Sequence, residues 1–229
     1  MLVKGKEPTT MAFVSRIAGG ERDFIFNRGA DETLTIGDIE WSYLDAEIAH
    51  FGSATALLSS PFYETYMEVM HVLKKRGAFI SFDPNYRTDL WKGNKRVYDE
   101  RVAACVQLAD FVKMSEEEFA LFGQEVPKGK WFAVTKGHAG TWISNGEQSA
   151  LIPSIQVQSI DSTGAGDAFV GAMLKQLADY PSLNTMTFND FQQLTQFSNI
   201  VGALTCTAVG AMTALPAMED VLLYMNNEQ

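Results

Sequence analysis

Residues 161–172, Asp161-Ser162-Thr163-Gly164-Ala165-Gly166-Asp167-Ala168-Phe169-Val170-Gly171-Ala172, place two glycines and an acid at the start of a run that reads as a helix. Small residues let the backbone approach a ligand closely. The first N–H groups of a helix have no intrahelical partner, and the helix dipole is positive at that end. The segment is therefore suited to hold a phosphate or a transferring phosphoryl group. Asp167 falls in the first turn. It could accept a proton from a substrate hydroxyl while the amides of Gly164, Ala165 and Gly166 hold the phosphoryl group. Two other readings stand beside this one. A glycine-rich helix start with an Asp is also common structural punctuation. Gly164-x-Gly166 lacks the third glycine of a dinucleotide fingerprint and the Lys-Ser/Thr of a Walker loop, which weighs against a nicotinamide-dependent oxidoreductase.

Other polar residues fall at the ends of expected strands. Thr135-Lys136-Gly137-x-x-Gly140 follows the apolar run Trp131–Val134, at a strand's C-terminal end, where open α/β sheets place ligands. Arg87, after another such strand, is able to clamp a phosphate with its guanidinium fork or simply to be solvated. Ser115, three residues before Glu118, has the spacing of a capping box; Glu118 could instead help hold Mg²⁺, an ion usually bound through waters and phosphates. Near the N-terminus, a period of two puts Arg22, Phe24, Phe26 and Arg28 on one strand face. That suits a flap touching a polar ligand, or a half-exposed amphipathic hairpin. His50, His71 and His138 form no ligand pattern and suit surface or core roles. The methionines read as core filler.

The elements that must position these residues follow from apolar periodicity. Two strands, Thr10–Ile17 and Glu21–Arg28, flank Gly19-Gly20, a dipeptide suited to a hairpin turn. A short apolar segment lies at His50–Ala54; strands are predicted at Ala78–Phe82, Phe111–Met114 and Trp131–Thr135, with Thr141–Ser144 pairing to the segment after it. Helices are predicted from about Pro61 to Arg76, Asn94 to Ala109, Ser115 to Gly123, Gly166 to Ala178, Asn189 to Thr207 and Pro216 to Asn226. Strands alternating with helices imply βαβ units, a parallel sheet and helices on both faces.

Composition narrows the function classes. With 229 residues and 46% hydrophobic content, the chain can bury roughly 70–75% of its unfolded surface in one core. Its net charge of −10 argues against a nucleic-acid or anionic-membrane binder, both of which need a basic face. Cys105 and Cys206 form no CxxC pair and are expected as two buried thiols in a reducing cytosol. The start offers no apolar stretch of signal-peptide length, and no run approaches the roughly 20 residues of a membrane span, so a soluble cytoplasmic protein is expected.

The 161–172 segment resembles the C-terminal signature of the PfkB, or ribokinase-like, carbohydrate kinases, D-[ST]-T-G-A-G-D-x-F. Further motifs follow in order. Asp83-Pro84-Asn85-x-Arg87 resembles the family's D-P-N-x-R, and Lys113-x-Ser115-x-x-Glu118 its K-x-[NS]-x-x-E. Thr135-x-Gly137-x-x-Gly140 resembles its nucleotide loop. Asn199 with 202–207 and 210–212 resembles the adenine-side helix and the loop after it. The resemblance spans essentially the whole chain, and Gly20–Phe24 with the D-P-N-x-R run looks most like the fructokinases. It implies a three-layer α/β/α sandwich with a mainly parallel sheet and a remnant of a small β lid. It also implies ATP-dependent phosphorylation of a sugar hydroxyl, fructose first, with Mg²⁺ and K⁺ as ions. Asp167 would be the base and the 164–166 amides the anion hole. Lys113, Ser115, Thr135, Gly137, Gly140 and Asn199 would lie at the nucleotide. Arg22, Phe24, Asn85 and Arg87 would lie at the sugar, and Glu118 and Asp161 at the ions. Partners would be ATP, a small sugar and a second copy through the lid, with no nucleic acid or membrane.

The chain departs from the pattern at its start. It begins just before the second lid hairpin, so one kinase domain, 1–229, is expected without its N-terminal portion, with a lid hairpin at 10–30 and an α/β core at 45–229. An exposed sheet edge and groove would follow. Two further functions are therefore expected as rivals: a kinase for ribose, 2-keto-3-deoxygluconate or a nucleoside, and a nucleotide-binding fragment without catalysis.

Overall fold

The computed structural model describes residues 5–16 and 22–227. The chain forms two compact units that divide after Asp110.

The first unit opens with β1 (Met11–Arg16) and β2 (Arg22–Asn27), an antiparallel ribbon in which Phe13 lies opposite Ile25. Gly19-Gly20, the expected turn, lies outside the described residues. No periodic pattern marks residues 30–44, and there the chain makes three short 3₁₀ turns at Ala30–Thr33, Ile36–Asp38 and Trp41–Tyr43. Then come β3 (Ile48–Gly52), which covers the start of the His50–Ala54 apolar segment, and α1 (Phe62–Lys75), β4 (Phe79–Asp83) and α2 (Lys95–Leu108), each of these three within one residue of its sequence expectation. β3 and β4 pair in parallel, with Phe51 beside Phe82. The α1 stripe Tyr66, Met70, Leu73 is buried because residues three and four apart share a face. Tyr98, Val102, Cys105 and Val106 do the same on α2. Asp110 joins the unit's parts: it takes the Ile80 N–H at 2.9 Å and pairs with Lys74 at 2.5 Å.

The second unit contains β5 (Phe111–Ser115), α3 (Glu116–Phe122), β6 (Trp131–Thr135), β7 (Thr141–Ser144), β8 (Ser149–Ile152), α4 (Ala165–Asp179), α5 (Phe188–Thr205) and α6 (Met218–Asn227). β5 and β6 are parallel, whereas β6–β7 and β7–β8 are antiparallel. Short loops explain the switch, since a hairpin needs only a few residues but a parallel crossover needs a dozen or more. Phe111, Phe132, Met114, Ile143 and Phe191 are fully buried and form this core. α4 packs along α5. No helix among the described residues is long and apolar enough to cross a membrane.

The expectation of two buried thiols needs one correction. Cys105 is buried, but Cys206 is half-exposed, because it caps the end of α5 rather than facing a core.

Candidate active site

Gly164 is the N-cap of α4. Its φ of +79° is in the left-handed region, and a Cβ there would fall 2.7 Å from the Ala211 Cβ. A glycine cap carries no side-chain oxygen for the first amides of α4; the Ala165 N–H is taken by the Ser162 carbonyl at 3.3 Å. The N–H groups of Gly166 and Asp167 are second and third in the helix, where backbone geometry gives no intrahelical acceptor. Lys113, from the buried strand β5, brings an ammonium to the same point: a Cβ on Gly166 would fall 3.0 Å from its Nζ. A cation and the positive end of a helix thus meet at one place, which favours a bound anion.

Beside them is a cavity of about 380 Å³. Six of the residues expected at the anion hole and the nucleotide line it: Thr135, Gly137, Gly140, Ala165, Gly166 and Asn199. Asp167 follows directly, exposed in the first turn of α4. Thr135 ends β6, and its hydroxyl donates to the Met114 carbonyl at 3.3 Å. Asn199, buried on α5, has its whole amide engaged. Its Oδ1 accepts from the Thr141 hydroxyl at 2.6 Å, and its Nδ2 donates to the carbonyls of Ile152 and Pro153 at 2.9 and 3.1 Å. Asn199 therefore shapes the wall by tying α5 to β7 and to the β8 exit.

That exit, residues 154–157 and Ser159, forms another part of the wall, with Phe169, Ala203 and Cys206 beside it. The sequence singled out Phe169 in the 161–172 segment and Ala203 and Cys206 in the 202–207 run, but not the 154–159 stretch, which is irregular backbone with no periodic signal. His138, read as a surface or core residue, lines the cavity as well.

The two carboxylates considered for cations are buried and already hold backbone. Glu118 Oε2 accepts the Ser115 N–H at 2.6 Å, and Ser115 Oγ accepts the Glu118 N–H at 3.2 Å, the capping box that the spacing predicts. Asp161 Oδ1 accepts the N–H and hydroxyl of Thr163, at 3.0 and 2.6 Å, while Oδ2 accepts the Gly210 N–H at 3.1 Å. Asp161 thus clamps the loop before α4 to the loop after α5. Among the described residues no group of three His, Cys, Asp or Glu could hold a metal. This donor set fits an ion held mainly by phosphate oxygens and water.

Asn85 and Arg87 belong to the first unit, at the C-terminal end of β4. Asp83, buried, accepts the Asn85 N–H at 3.0 Å through Oδ1, and Asn85 has φ 46°. Ser53 Oγ donates to the Pro84 carbonyl at 2.5 Å, and Arg87 donates to the Tyr86 carbonyl at 3.2 Å. The backbones of Arg22 and Phe24 lie in β2; their side chains fall outside the described residues.

A glycine-capped helix start with a lysine beside it, at a cavity of about 380 Å³ in an alternating α/β chain, suits the binding of an anionic ligand. The chain belongs to the pfkB family of carbohydrate kinases, which it matches over residues 1–218. It is 34% identical over 234 residues to fructokinase-1 of Oryza sativa subsp. japonica, covering 96% of this chain and 72% of that protein. Among solved structures, the fructokinase of Xylella fastidiosa with bound ATP superimposes with a TM-score of 0.84 at 28% identity, over 98% of this chain and 76% of that one. The Vibrio cholerae fructokinase with fructose, ADP and calcium ion gives 0.83 at 29%, over 96% and 74%. The fold is accordingly the ribokinase-like α/β/α sandwich, and the chain is a sugar kinase by family.

Proposed function

We propose that the protein transfers the γ-phosphoryl group of ATP to a hydroxyl of fructose. The observation that carries this is the start of α4, where uncapped amides and Lys113 flank a cavity large enough for a nucleotide, with Asp167 next in the chain. The fructokinases among the similar proteins support ATP and fructose as the pair of substrates.

In this mechanism the nucleotide lies along Thr135, Gly137, Gly140 and Asn199, with its phosphates toward Gly164–Gly166 and Lys113. The sugar is assigned to Asn85 and Arg87 and to Arg22 and Phe24 of β2. Asp167 takes the proton of the attacking hydroxyl as its oxygen bonds to the γ-phosphorus. The bond from that phosphorus to the β–γ bridging oxygen breaks, and ADP leaves with the electron pair. The 164–167 amides stabilise charge on the transferring oxygens, a contribution worth about 10²–10³ in rate per donor at comparable sites. Magnesium would neutralise phosphate charge when bound, with Glu118 as its protein-side carboxylate; Asp161 would serve K⁺ in the same way. A dimer contact is assigned to the outer face of the hairpin, where Met11, Phe13 and Ile25 are exposed.

A coupled assay with ATP and a panel of fructose, ribose, 2-keto-3-deoxygluconate and a nucleoside tests the reading. Turnover highest with fructose is expected. Nucleotide binding without turnover of any sugar would overturn it in favour of a binding-only role.

A further inference from the structure

One carboxylate in the first unit ties the start of the β1–β2 hairpin to its end. Asp31 Oδ1 accepts the hydroxyl of Thr10, just before β1, and the N–H of Gly29, just after β2, the latter at 3.3 Å. Its Oδ2 accepts Arg28 Nε at 2.8 Å. Asp31 itself sits in the Ala30–Thr33 turn, which packs against α1. Two backbone links reinforce the junction. The Gly29 N–H donates to Thr10 Oγ1 at 3.0 Å, and the Ala30 N–H donates to the Pro8 carbonyl at 2.8 Å.

A two-stranded ribbon is marginally stable in water by itself. Among the described side chains of the ribbon, Met11, Phe13 and Ile25 are exposed. Beyond its base, β2 packs against the Thr88–Trp91 turn, which directly follows Arg87. Its orientation therefore depends heavily on the junction at Asp31. The junction is also sensitive to charge. Arg28 is mostly buried, its NH2 has no hydrogen-bond partner among the described residues, and its other acidic neighbour, Glu32, lies 3.9 Å from NH1. Removing the Asp31 charge would leave Arg28 buried without its close counter-ion, a costly state.

We propose that Asp31 is a latch that fixes both ends of the β1–β2 hairpin to the Ala30–Thr33 turn, and that it thereby positions β2 for the sugar. The latch itself stands on the geometry above; its effect on sugar binding rests on the kinase reading. Asp31 touches no substrate in this account and acts as a positioning residue.

Hydrogen–deuterium exchange on the full chain separates the two parts. Asp31→Asn keeps the shape and removes the charge, and Thr10→Val removes one partner while leaving the acid. Losing a charge-assisted hydrogen bond of this kind shifts a local equilibrium by about tenfold to a hundredfold. Both variants should speed exchange of the Met11–Arg16 and Arg22–Asn27 amides by about tenfold or more, and by more than any amide of β3–β8. The fructose KM should rise about tenfold, because the competent orientation is less populated, while the ADP Kd and the kcat stay near wild type. Unaltered hairpin exchange, or an equal rise in every strand, would overturn the latch. Faster hairpin exchange with an unmoved fructose KM would overturn the positioning role. If the wild type turns over no sugar, the kinase reading fails, and the exchange comparison still decides the latch.

Discussion

Lys113 occupies the space that any side chain at residue 166 would need: a Cβ there would sit 3.0 Å from Nζ and 3.6 Å from Cε. Because the obstacle is the flexible end of a lysine, Gly166→Ala should cost little stability but push the ammonium away. The ammonium would have to give by only a few tenths of an ångström, well short of the roughly 1 Å worth about a hundredfold in rate. The variant should unfold near the wild-type temperature with kcat lowered by about tenfold or less. Gly164→Ala behaves differently, because φ is +79° and backbone and Cβ atoms of Ala211 lie within 3.1 Å. It should cost about 1–3 kcal/mol. A thermal melt of both variants separates the two effects.

Asn199→Ala should be strongly destabilising. It removes three hydrogen bonds at once and leaves the Thr141 hydroxyl and the carbonyls of Ile152 and Pro153 without that partner. Each buried group so stranded costs about 1–3 kcal/mol. The loss in denaturant titration should be accompanied by a raised nucleotide Kd, since the same bonds hold the cavity wall. Full stability would contradict the assignment.

The Asp31 carboxyl gives a pH signature. Burial pushes its pKa up, but bonds from Thr10, Thr55 and Gly29 and the charge of Arg28 outweigh that and hold it below its ordinary 3.8. A depressed carboxyl stabilises the fold above the unfolded-state value and loses that contribution as pH falls through the folded-state value. The stability gap between wild type and Asp31→Asn should therefore be full at neutral pH and close below about pH 4. Melts across pH 2–7 read this directly. A gap that persists at the acid end would contradict it.

The thiols should differ in reactivity. Burial pushes the Cys105 thiol up to about 12, and burial also raises that of half-exposed Cys206, partly offset by a hydrogen bond from Ser159. Iodoacetamide at pH 8 should modify Cys206 slowly and Cys105 only after unfolding. Because Cys206 lines the cavity, ADP should protect it. Mass-spectrometric mapping of the labelled site checks both points.

Local chemistry was the part of the fold and site that could be read from the sequence. The Ser115–Glu118 capping box spans three residues and forms as its spacing predicts. Helix α4 begins at Ala165, one residue from expectation, because Gly164 must turn the chain there. Helix α6 begins at Met218 rather than near Pro216, since the Asp220 carboxylate takes the Ala217 N–H and sets the first turn later. Long-range relations were not legible. The Asn199–Thr141 bond joins residues 58 apart, and the Asp31–Thr10 bond joins residues 21 apart. No periodicity encodes such pairs. Nor does any pattern announce that the irregular segment after β8 becomes the wall of a cavity.

The central claim is that Asp167 accepts the proton of the attacking hydroxyl. The most direct test is the kcat of Asp167→Asn for fructose phosphorylation by ATP, measured together with its ADP Kd. A kcat lowered by about 10²–10⁴ with the Kd unchanged is predicted, the usual worth of a positioned base. Wild-type turnover in the variant would contradict it.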